Sequence, residues 1–314
     1  MTLIFRAAQE FMMSDFKHVV ENRRYLLELD ITQRMAICGD DFWVPMQRYD
    51  KYFKIINKVL TRQNQHQAQC ILFTARPGGG KTAFVNQIME VYQFKSEKIM
   101  KIQMEENIDK FRLKELILDA FDIRTGPRAG RASRTAMLRR AIAEGNYKAL
   151  LADETHDALN EAERTLLQNM SLLKHMCGGV FKMVVLAFGN GAASEVIRSD
   201  DQTGRRFVHY VLPGWGLDDE FKEFVWSYVS HFPLKLRSSD VLKDEFLAKL
   251  YKASWGVMDN FVKILKASAE VAIESGDECI TVAHIDNYKD ICNQCGYAII
   301  KPTPDKKKPR REKF

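Results

Sequence analysis

Apolar residues recur along the chain with two different spacings. Over residues 1–40 they recur at helical spacing, as in FRAAQEFMMSDFKHVVENRRYLLEL, which predicts mixed helical segments. Pro45 interrupts that pattern because a proline drives Val44, the residue before it, away from the α region. The following stretch, YDKYFKIINKVLTRQN, predicts an amphipathic helix with its aromatic and aliphatic side chains on one side.

From residue 69 onward, short apolar runs alternate with helical patterns. The predicted strands are 70–75, 99–103, 147–152, 181–188 and 207–212, and the predicted helices between them are 82–93, 111–121, 133–144 and 160–176. Strands joined by helical crossovers favour a five-stranded parallel sheet with helices on both faces. Residues 218–291 are mostly helical in pattern, so we expect an α/β domain followed by an α-helical domain.

The composition narrows the possible classes of protein. The 314 residues are 46% hydrophobic and 28% charged, as in ordinary soluble proteins, and no apolar run approaches the roughly 18 residues that span a bilayer. The N-terminus is a poor secretory signal, so we expect a cytoplasmic protein with no membrane partner. Residues 299–314 hold seven Lys/Arg against two acids and are predicted to form a disordered tail suited to nucleic acid or an acidic partner. A merely solubilising tail is the alternative.

The expected organisation has four parts. They are a helical extension over residues 1–46, the α/β domain over 47–214, the helical domain over 215–298 and the basic tail over 299–314. Cys292 and Cys295 form a C-x-x-C pair without a second pair to complete a zinc site, so reduced structural thiols are favoured.

A glycine-rich segment lies between the first predicted strand and helix. ARPGGGKT, residues 75–82, fits the phosphate-loop pattern with alanine in place of its first glycine. In such a loop Arg76, Pro77, Gly78, Gly79 and Gly80 turn the backbone so that its N–H groups face phosphate oxygens. Lys81 then reaches the β- and γ-phosphates, and the Thr82 hydroxyl binds Mg²⁺. The sequence therefore predicts an ATP and Mg²⁺ site.

Two adjacent acids end the third predicted strand, in KALLADET. Asp153 is placed to hold Mg²⁺ through water, and Glu154 is placed to activate the attacking water as a general base. A helix N-cap is the structural alternative. Adjacent Asp-Glu favours ATP hydrolysis over a small-molecule kinase.

The next two strands contribute further candidates. Asn190 ends MVVLAFGN and is placed to orient the water, although Gly-Asn-Gly is also good turn chemistry. Arg205 and Arg206 precede the fifth strand and could reach a neighbouring subunit's γ-phosphate in trans. A solvated turn is the alternative for this pair.

Taken in order, these motifs resemble those of an AAA+ ATPase, and within that class the chain resembles the TniB/TnsC family of transposition regulators, found in Mu-like and CRISPR-associated transposons. FWVPMQRYDKYFKIINKVL, ALLADETHDAL, VVLAFGN and DDQTGRRFVHYVL carry the resemblance, which spans about residues 40–290. It implies that Val44 and Pro45 lie near the adenine and that Arg206 is a better arginine finger than Arg205. It also implies a helical lid, and assembly into rings or filaments on double-stranded DNA. The implied partners are a transposase and a TniQ-type target-selection protein.

The resemblance also implies DNA contacts in the basic stretch between the second and third strands. By position, the contacts to the DNA backbone are Lys114, Arg128 and Arg131, with Arg112 and Arg134 as neighbours. Lysine and arginine contacts of this kind neutralise phosphates and carry no base information, which suits a protein that coats any target. An exposed charged helix and loop is the structural alternative.

The chain departs from the family pattern in the lid. Where relatives place a sensor arginine after a glycine, SWGVMDNFVKIL offers Asp259 and Asn260. Lid sensing of the γ-phosphate is therefore in doubt, and slow or differently gated hydrolysis is expected. Two other functional classes stay open: a STAND-like signalling ATPase that acts on protein partners alone, and a helicase-loader or clamp-type AAA+ protein.

Overall fold

The computed structural model describes residues 16–62, 66–103, 113–123, 131–153, 163–191, 194 and 204–302. Within these ranges, the side chains of residues 103, 131–132, 163–168 and 170 are not described. The strands are β1 (Cys70–Thr74), β2 (Lys98–Gln103), β3 (Tyr147–Asp153), β4 (Val184–Gly189) and β5 (Phe207–Val211). The α-helices are α1 (Ile31–Cys38), α2 (Gln47–Leu60), α3 (Lys81–Tyr92), α4 (Leu113–Ala120), α5 (Arg131–Glu144), α6 (Glu163–Cys177), α7 (Asp219–Val229), α8 (Asp244–Ser254), α9 (Met258–Ser275), α10 (Val282–Asp286) and α11 (Tyr288–Gln294). Short 3₁₀ helices cover Glu21–Glu28 and Ser239–Leu242.

The chain divides into two compact units by its own contacts. One is Pro45–Pro213, and the other combines the chain before Pro45 with the chain after Pro213. The segment ahead of the sheet therefore packs with the C-terminal helices, which the sequence pattern did not indicate. The four-part organisation expected from the sequence otherwise stays a prediction.

The first unit is built on a five-stranded parallel sheet in the order β2-β3-β4-β1-β5. Every residue of β1 and β4 is buried, as expected for parallel strands covered on both faces. The predicted α/β class and parallel five-stranded sheet are confirmed. β4 begins at Val184 and not at 181, because Lys182 adopts a left-handed φ of 53° that a strand cannot continue through.

The two faces of the sheet are covered by different side chains. On one face Phe73 and Phe188 stack on each other at 5.0 Å, and Phe84 of α3 and Tyr52 of α2 pack edge-on against Phe73. On the other face the aliphatic side chains of the strands pack with those of α4, α5 and the end of α6 in one apolar cluster. This double burial fixes the strand register, and with it the positions of the residues that follow each strand.

The second unit is helical, as predicted for the C-terminal region. Its central helix is α9, where Phe261, Ile264 and Leu265 are fully buried. α1 packs against α9, and its Arg34, which is 1% exposed, makes a two-pronged ion pair at 2.7 and 2.6 Å with Glu278, which follows α9. Gly276, at a left-handed φ of 83°, ends α9 just before that glutamate.

None of the helices in the described part of the chain is long and apolar enough to cross a membrane.

Candidate nucleotide site and basic cleft

The glycine loop between β1 and α3 is tightly folded. Gly78 and Gly80 have left-handed φ angles of 68° and 84°, which favour glycine. A Cβ at Gly79 would lie 2.8 Å from the carbonyl oxygen of Arg76, which also accepts the Gly79 amide proton at 3.0 Å. The three glycines are therefore required by the backbone shape. Arg76 and Pro77 lie on the exposed side of the same loop.

α3 begins directly after the loop. Lys81 is its first residue and is 8% exposed, whereas Thr82 is exposed. Because the first amides of a helix have no partner within it, this end of α3 attracts anions. The loop, the lysine and the helix end together are suited to a phosphate chain.

Asp153 and Asn190 follow neighbouring strands at the carboxyl edge of the sheet. Asp153 is the last residue of β3 and is 1% exposed, and Asn190 follows β4 and is half-buried. The register pairs Thr74 with Gly189, and the Ala75 amide donates to the Gly189 carbonyl at 3.3 Å. β4 lies between β3 and β1, so two strand spacings, about 10 Å, separate Asp153 from the start of the loop. The structure thus brings Asp153, Asn190 and the loop to one edge.

One contact at this edge is not predicted by the sequence pattern. The Thr74 hydroxyl and His209 Nε2 lie 2.7 Å apart, and Thr74 is 4% exposed. This bond joins β5 to the last residue of β1, directly beneath the loop. The only available signal was a polar residue inside the apolar run FVHYV.

The residues present fit Mg²⁺–ATP. Asp153 provides an almost fully buried carboxylate at a strand end, and Lys81 and Thr82 provide an ammonium group and a hydroxyl at the start of a helix. The oxygen atoms suit magnesium, and the positive charge of the lysine suits phosphates. Glu154 lies outside the described residues. Val44 is buried, and Pro45 lies two residues before the start of α2. The boundary between the two compact units falls between Val44 and Pro45.

Arg206 lies at the opposite edge of the sheet. Its carbonyl accepts the amide of Cys70, the first residue of β1, whereas the phosphate loop follows the last residue of that strand. A strand of five residues spans about 16 Å, so Arg206 does not belong to the nucleotide site of its own chain. This placement is compatible with a finger that acts on another copy.

The Arg206 guanidinium contacts the end of α6. Its Nη1 donates to the Lys174 carbonyl at 3.3 Å, and the Cys177 thiol donates to the same oxygen at 3.2 Å. The pKa of the nearby Cys177 thiol is lowered, mainly because Cys70 hydrogen-bonds to it and also because Arg206 does. The same bond, and then burial, raise the pKa of Cys70.

Two of the predicted DNA contacts lie near Arg206. Lys114 at the start of α4 is exposed, and Arg134 on α5 is half-buried. Both line a cleft of about 920 Å³ together with Lys174 and Arg206. The sequence reading missed Lys174, since nothing in a helical pattern marks it. Arg131 begins α5, its side chain is not described, and Arg112 and Arg128 lie outside the described residues.

At the lid position that lacks a sensor arginine, Asn260 and Asp259 make structural contacts. Asn260 is 1% exposed, donates to the carbonyls of Ser254 and Ile300 at 3.2 and 2.8 Å, and accepts the Ile300 amide at 3.1 Å. Asp259 forms an ion pair with Lys263 at 2.7 Å. Asn260 therefore holds the segment that leads to the basic tail, whose residues 303–314 lie outside the described part.

The C-x-x-C pair consists of free thiols. Burial raises the pKa of Cys292 to about 11 and that of Cys295 to about 12, with Glu270 adding to both.

Solved structures of AAA+ ATPases share this architecture. Cdc6p of Pyrobaculum aerophilum matches with a TM-score of 0.60 at 17% identity, over 82% of this chain and 70% of that one. The Aeropyrum pernix ORC1 protein in complex with DNA matches with a TM-score of 0.60 at 12% identity, over 82% and 68%. The Walker-type ATPase PABY2304 of Pyrococcus abyssi gives 0.54 at 10% identity, over 82% and 74%. The fold is therefore that of an AAA+ P-loop ATPase.

The family follows from the sequence match. The model of the bacterial TniB protein family matches residues 34–217, which is more than half of the chain. The chain belongs to the TniB family. No curated protein gave a match.

Proposed function

We propose that this protein is an ATP-dependent regulator of DNA transposition that binds duplex DNA without sequence preference and oligomerises on it. In that role it links a TniQ-type target-selection protein to the transposase. Membership of the TniB family supports the process. The mechanism rests on one observation: Arg206 lies at the sheet edge opposite the phosphate loop. A nucleotide site that needs both the loop and this arginine is complete only when two copies meet.

Each residue then has a defined task. Lys81 and the loop amides bind the phosphates, Thr82 and Asp153 hold magnesium, and Val44 and Pro45 contact the base. Glu154 accepts a proton from the attacking water, and Asn190 orients that water. Magnesium ATP supplies the phosphoanhydride bond whose hydrolysis ends the assembled state.

Arg206 of one copy stabilises the charge that develops on the phosphate held by the next. Such a finger makes hydrolysis depend on assembly, since it acts only across an interface. Lys114 and Arg134, with Arg112, Arg128 and Arg131, neutralise DNA phosphates.

Electron microscopy of the chain with random duplex DNA and a non-hydrolysable ATP analogue tests this proposal. We expect rings or filaments on the DNA with the analogue and none with ADP. Glu154→Gln should give the same assemblies with ATP itself, because nucleotide is bound and not turned over. Normal ATP turnover by Glu154→Gln would contradict the role of that residue, and assemblies that form equally with ADP would contradict the nucleotide switch.

A further inference from the structure

Residues 39–46 join α1 to α2 without forming a helix or a strand, and the helical unit holds the first part of this segment in place. Lys266 of α9 is 5% exposed, and its ammonium group donates to the Gly39 carbonyl at 2.9 Å and to the Asp41 carboxylate at 2.5 Å. Connecting segments are usually more mobile than the elements that they join. A buried lysine that binds two residues of such a segment restricts its motion.

Phe42, the next residue, is held by its ring. The ring stacks on Tyr228 with centroids 4.4 Å apart and on His231 with centroids 4.8 Å apart, and it meets Phe232 edge-on at 6.1 Å. The Arg23 guanidinium lies over the same ring, 5.1 Å from its centroid. Burial lowers the pKa of His231, so that ring is uncharged at neutral pH and does not repel Arg23. Aromatic pairs and a cation over a ring have preferred geometries, so these contacts fix both the position and the tilt of the Phe42 ring.

The backbone after Phe42 is stiff. Pro45 holds its own φ at about −65° and keeps Val44 out of the α region. Val44 is 3% exposed and lies two residues after Phe42. A ring held at Phe42 therefore sets where Val44 lies.

We propose that Phe42 is a positioning residue for the nucleotide base: held by the aromatic contacts of the helical unit, it places Val44 where the base binds. This inference rests on the proposed function, in which Val44 and Pro45 contact the base. ATP and ADP carry the same base, so Phe42 contributes equally to the binding of both. It differs in this from a sensor arginine, which contacts the γ-phosphate and favours ATP.

Competition against a fluorescent ATP analogue by ATP, ADP and inorganic tripolyphosphate tests the proposal with the full chain. Tripolyphosphate has the phosphates and no base. Phe42→Ala should weaken ATP and ADP by the same factor, about tenfold, and leave tripolyphosphate within about twofold. Phe42→Tyr, which keeps the ring, should restore nucleotide binding. Equal weakening of all three ligands would show a merely structural role and overturn the proposal, as would a loss for ATP alone or unchanged ATP binding.

Trp226→Ala is the matched control in the same unit. The Arg237 guanidinium lies over the Trp226 ring, 5.4 Å from its centroid, so this change removes the same kind of contact from a residue outside the 39–46 segment. The affinities for all three ligands should be unchanged. A loss of ATP affinity equal to that of Phe42→Ala would overturn the proposal.

Arg23→Gln covers the case in which Phe42→Ala does not fold. The Phe42 ring then stays in place and loses only the cation over it, so ATP and ADP should weaken by about threefold and tripolyphosphate should not. A folded Arg23→Gln chain with unchanged ATP affinity would overturn the claim that these contacts hold the segment.

A double-mutant cycle tests whether Phe42 acts through Val44. If it does, Phe42→Ala adds little to the loss that Val44→Ala causes alone, because both changes remove the same contact with the base. Strict additivity of the two losses would overturn the positioning role.

These titrations contain no DNA and measure no hydrolysis. Failure of the protein to bind duplex DNA would therefore overturn the proposed function and leave the result for Phe42 standing. A wild-type chain that binds tripolyphosphate as tightly as ATP would overturn both the base contact of the proposed function and this proposal. A wild-type preference for ATP that Phe42→Ala leaves intact would overturn this proposal alone.

Discussion

The hydroxyl of Thr74 and the imidazole of His209 lie 2.7 Å apart, which ties the edge strand β5 to the last residue before the phosphate loop. Replacing His209 with Ala leaves the buried Thr74 hydroxyl without this partner. We expect a loss of about 1–2 kcal/mol in the free energy of unfolding. A double-mutant cycle with Thr74→Val, followed by urea denaturation, should show that the two changes together cost less than their sum. Strict additivity would mean that the bond contributes nothing.

The close approach of Gly79 to the Arg76 carbonyl predicts a specific loss of nucleotide binding. Gly79→Ala would place a Cβ 2.8 Å from that oxygen, so the loop must open. We expect ATP affinity, measured by fluorescence with a labelled analogue, to fall by at least about tenfold. Gly179→Ala, where an added Cβ meets nothing within 4 Å, is the matched control and should bind ATP normally.

The buried ion pair of Arg34 and Glu278 predicts a stability loss in the helical unit. Glu278→Gln leaves the buried guanidinium without its countercharge, which costs about 3 kcal/mol. Asp286→Asn breaks the exposed pair with Lys249 and should cost less than about 1 kcal/mol. All four tryptophans, Trp43, Trp215, Trp226 and Trp255, belong to this unit, so tryptophan fluorescence during denaturation reports on it.

The same pair predicts an acid-dependent loss of stability. Burial is the largest single effect and raises the pKa of Glu278, but the Arg34 hydrogen bonds, the Lys235 backbone N–H and the charges of both residues together outweigh it, so the net pKa is lowered. A lowered carboxyl pKa contributes stability that is complete above the unfolded pKa, about 4.3, and is lost as pH falls through the folded value. Unfolding free energy of the helical unit should therefore fall below about pH 4.5 in the wild type, and less steeply in Glu278→Gln. Equal slopes would contradict this assignment.

The contacts of Asn260 predict that it holds the C-terminal segment and does not sense nucleotide. Asn260→Ala removes three hydrogen bonds, two of them to Ile300, so chymotrypsin should cut after Tyr297 sooner. ATP affinity should not change. Asp259→Ala, which breaks the partly exposed pair with Lys263 and none of the Asn260 bonds, should leave the cleavage rate as it is. Weaker ATP binding with unchanged cleavage would restore a sensing role for Asn260.

Local patterns in the sequence predict much of this fold. The sequence predicts the five strands to within about three residues, because apolar runs bounded by turn residues mark buried parallel strands. The loop ARPGGGKT was recognisable because its glycines are dictated by the backbone itself. Asp153 and Asn190 were recognisable because the ends of parallel strands meet at one edge.

Contacts between distant parts of the chain were not predictable in the same way. The cleft unites Lys114, Arg134, Lys174 and Arg206, which only the strand order brings together. The Asn260–Ile300 bonds and the packing of α1 with α9 also depend on tertiary structure that no local period encodes.

The central claim is that ATP controls binding of this protein to duplex DNA of any sequence. Mobility shift of two unrelated random duplexes, titrated with salt, measures it most directly. We predict tight binding to both with magnesium and ATP, a steep loss of affinity as salt rises, and no binding with ADP or by Lys81→Ala protein. Failure to bind either duplex at low salt with ATP would contradict the account and favour a signalling ATPase that acts on protein partners.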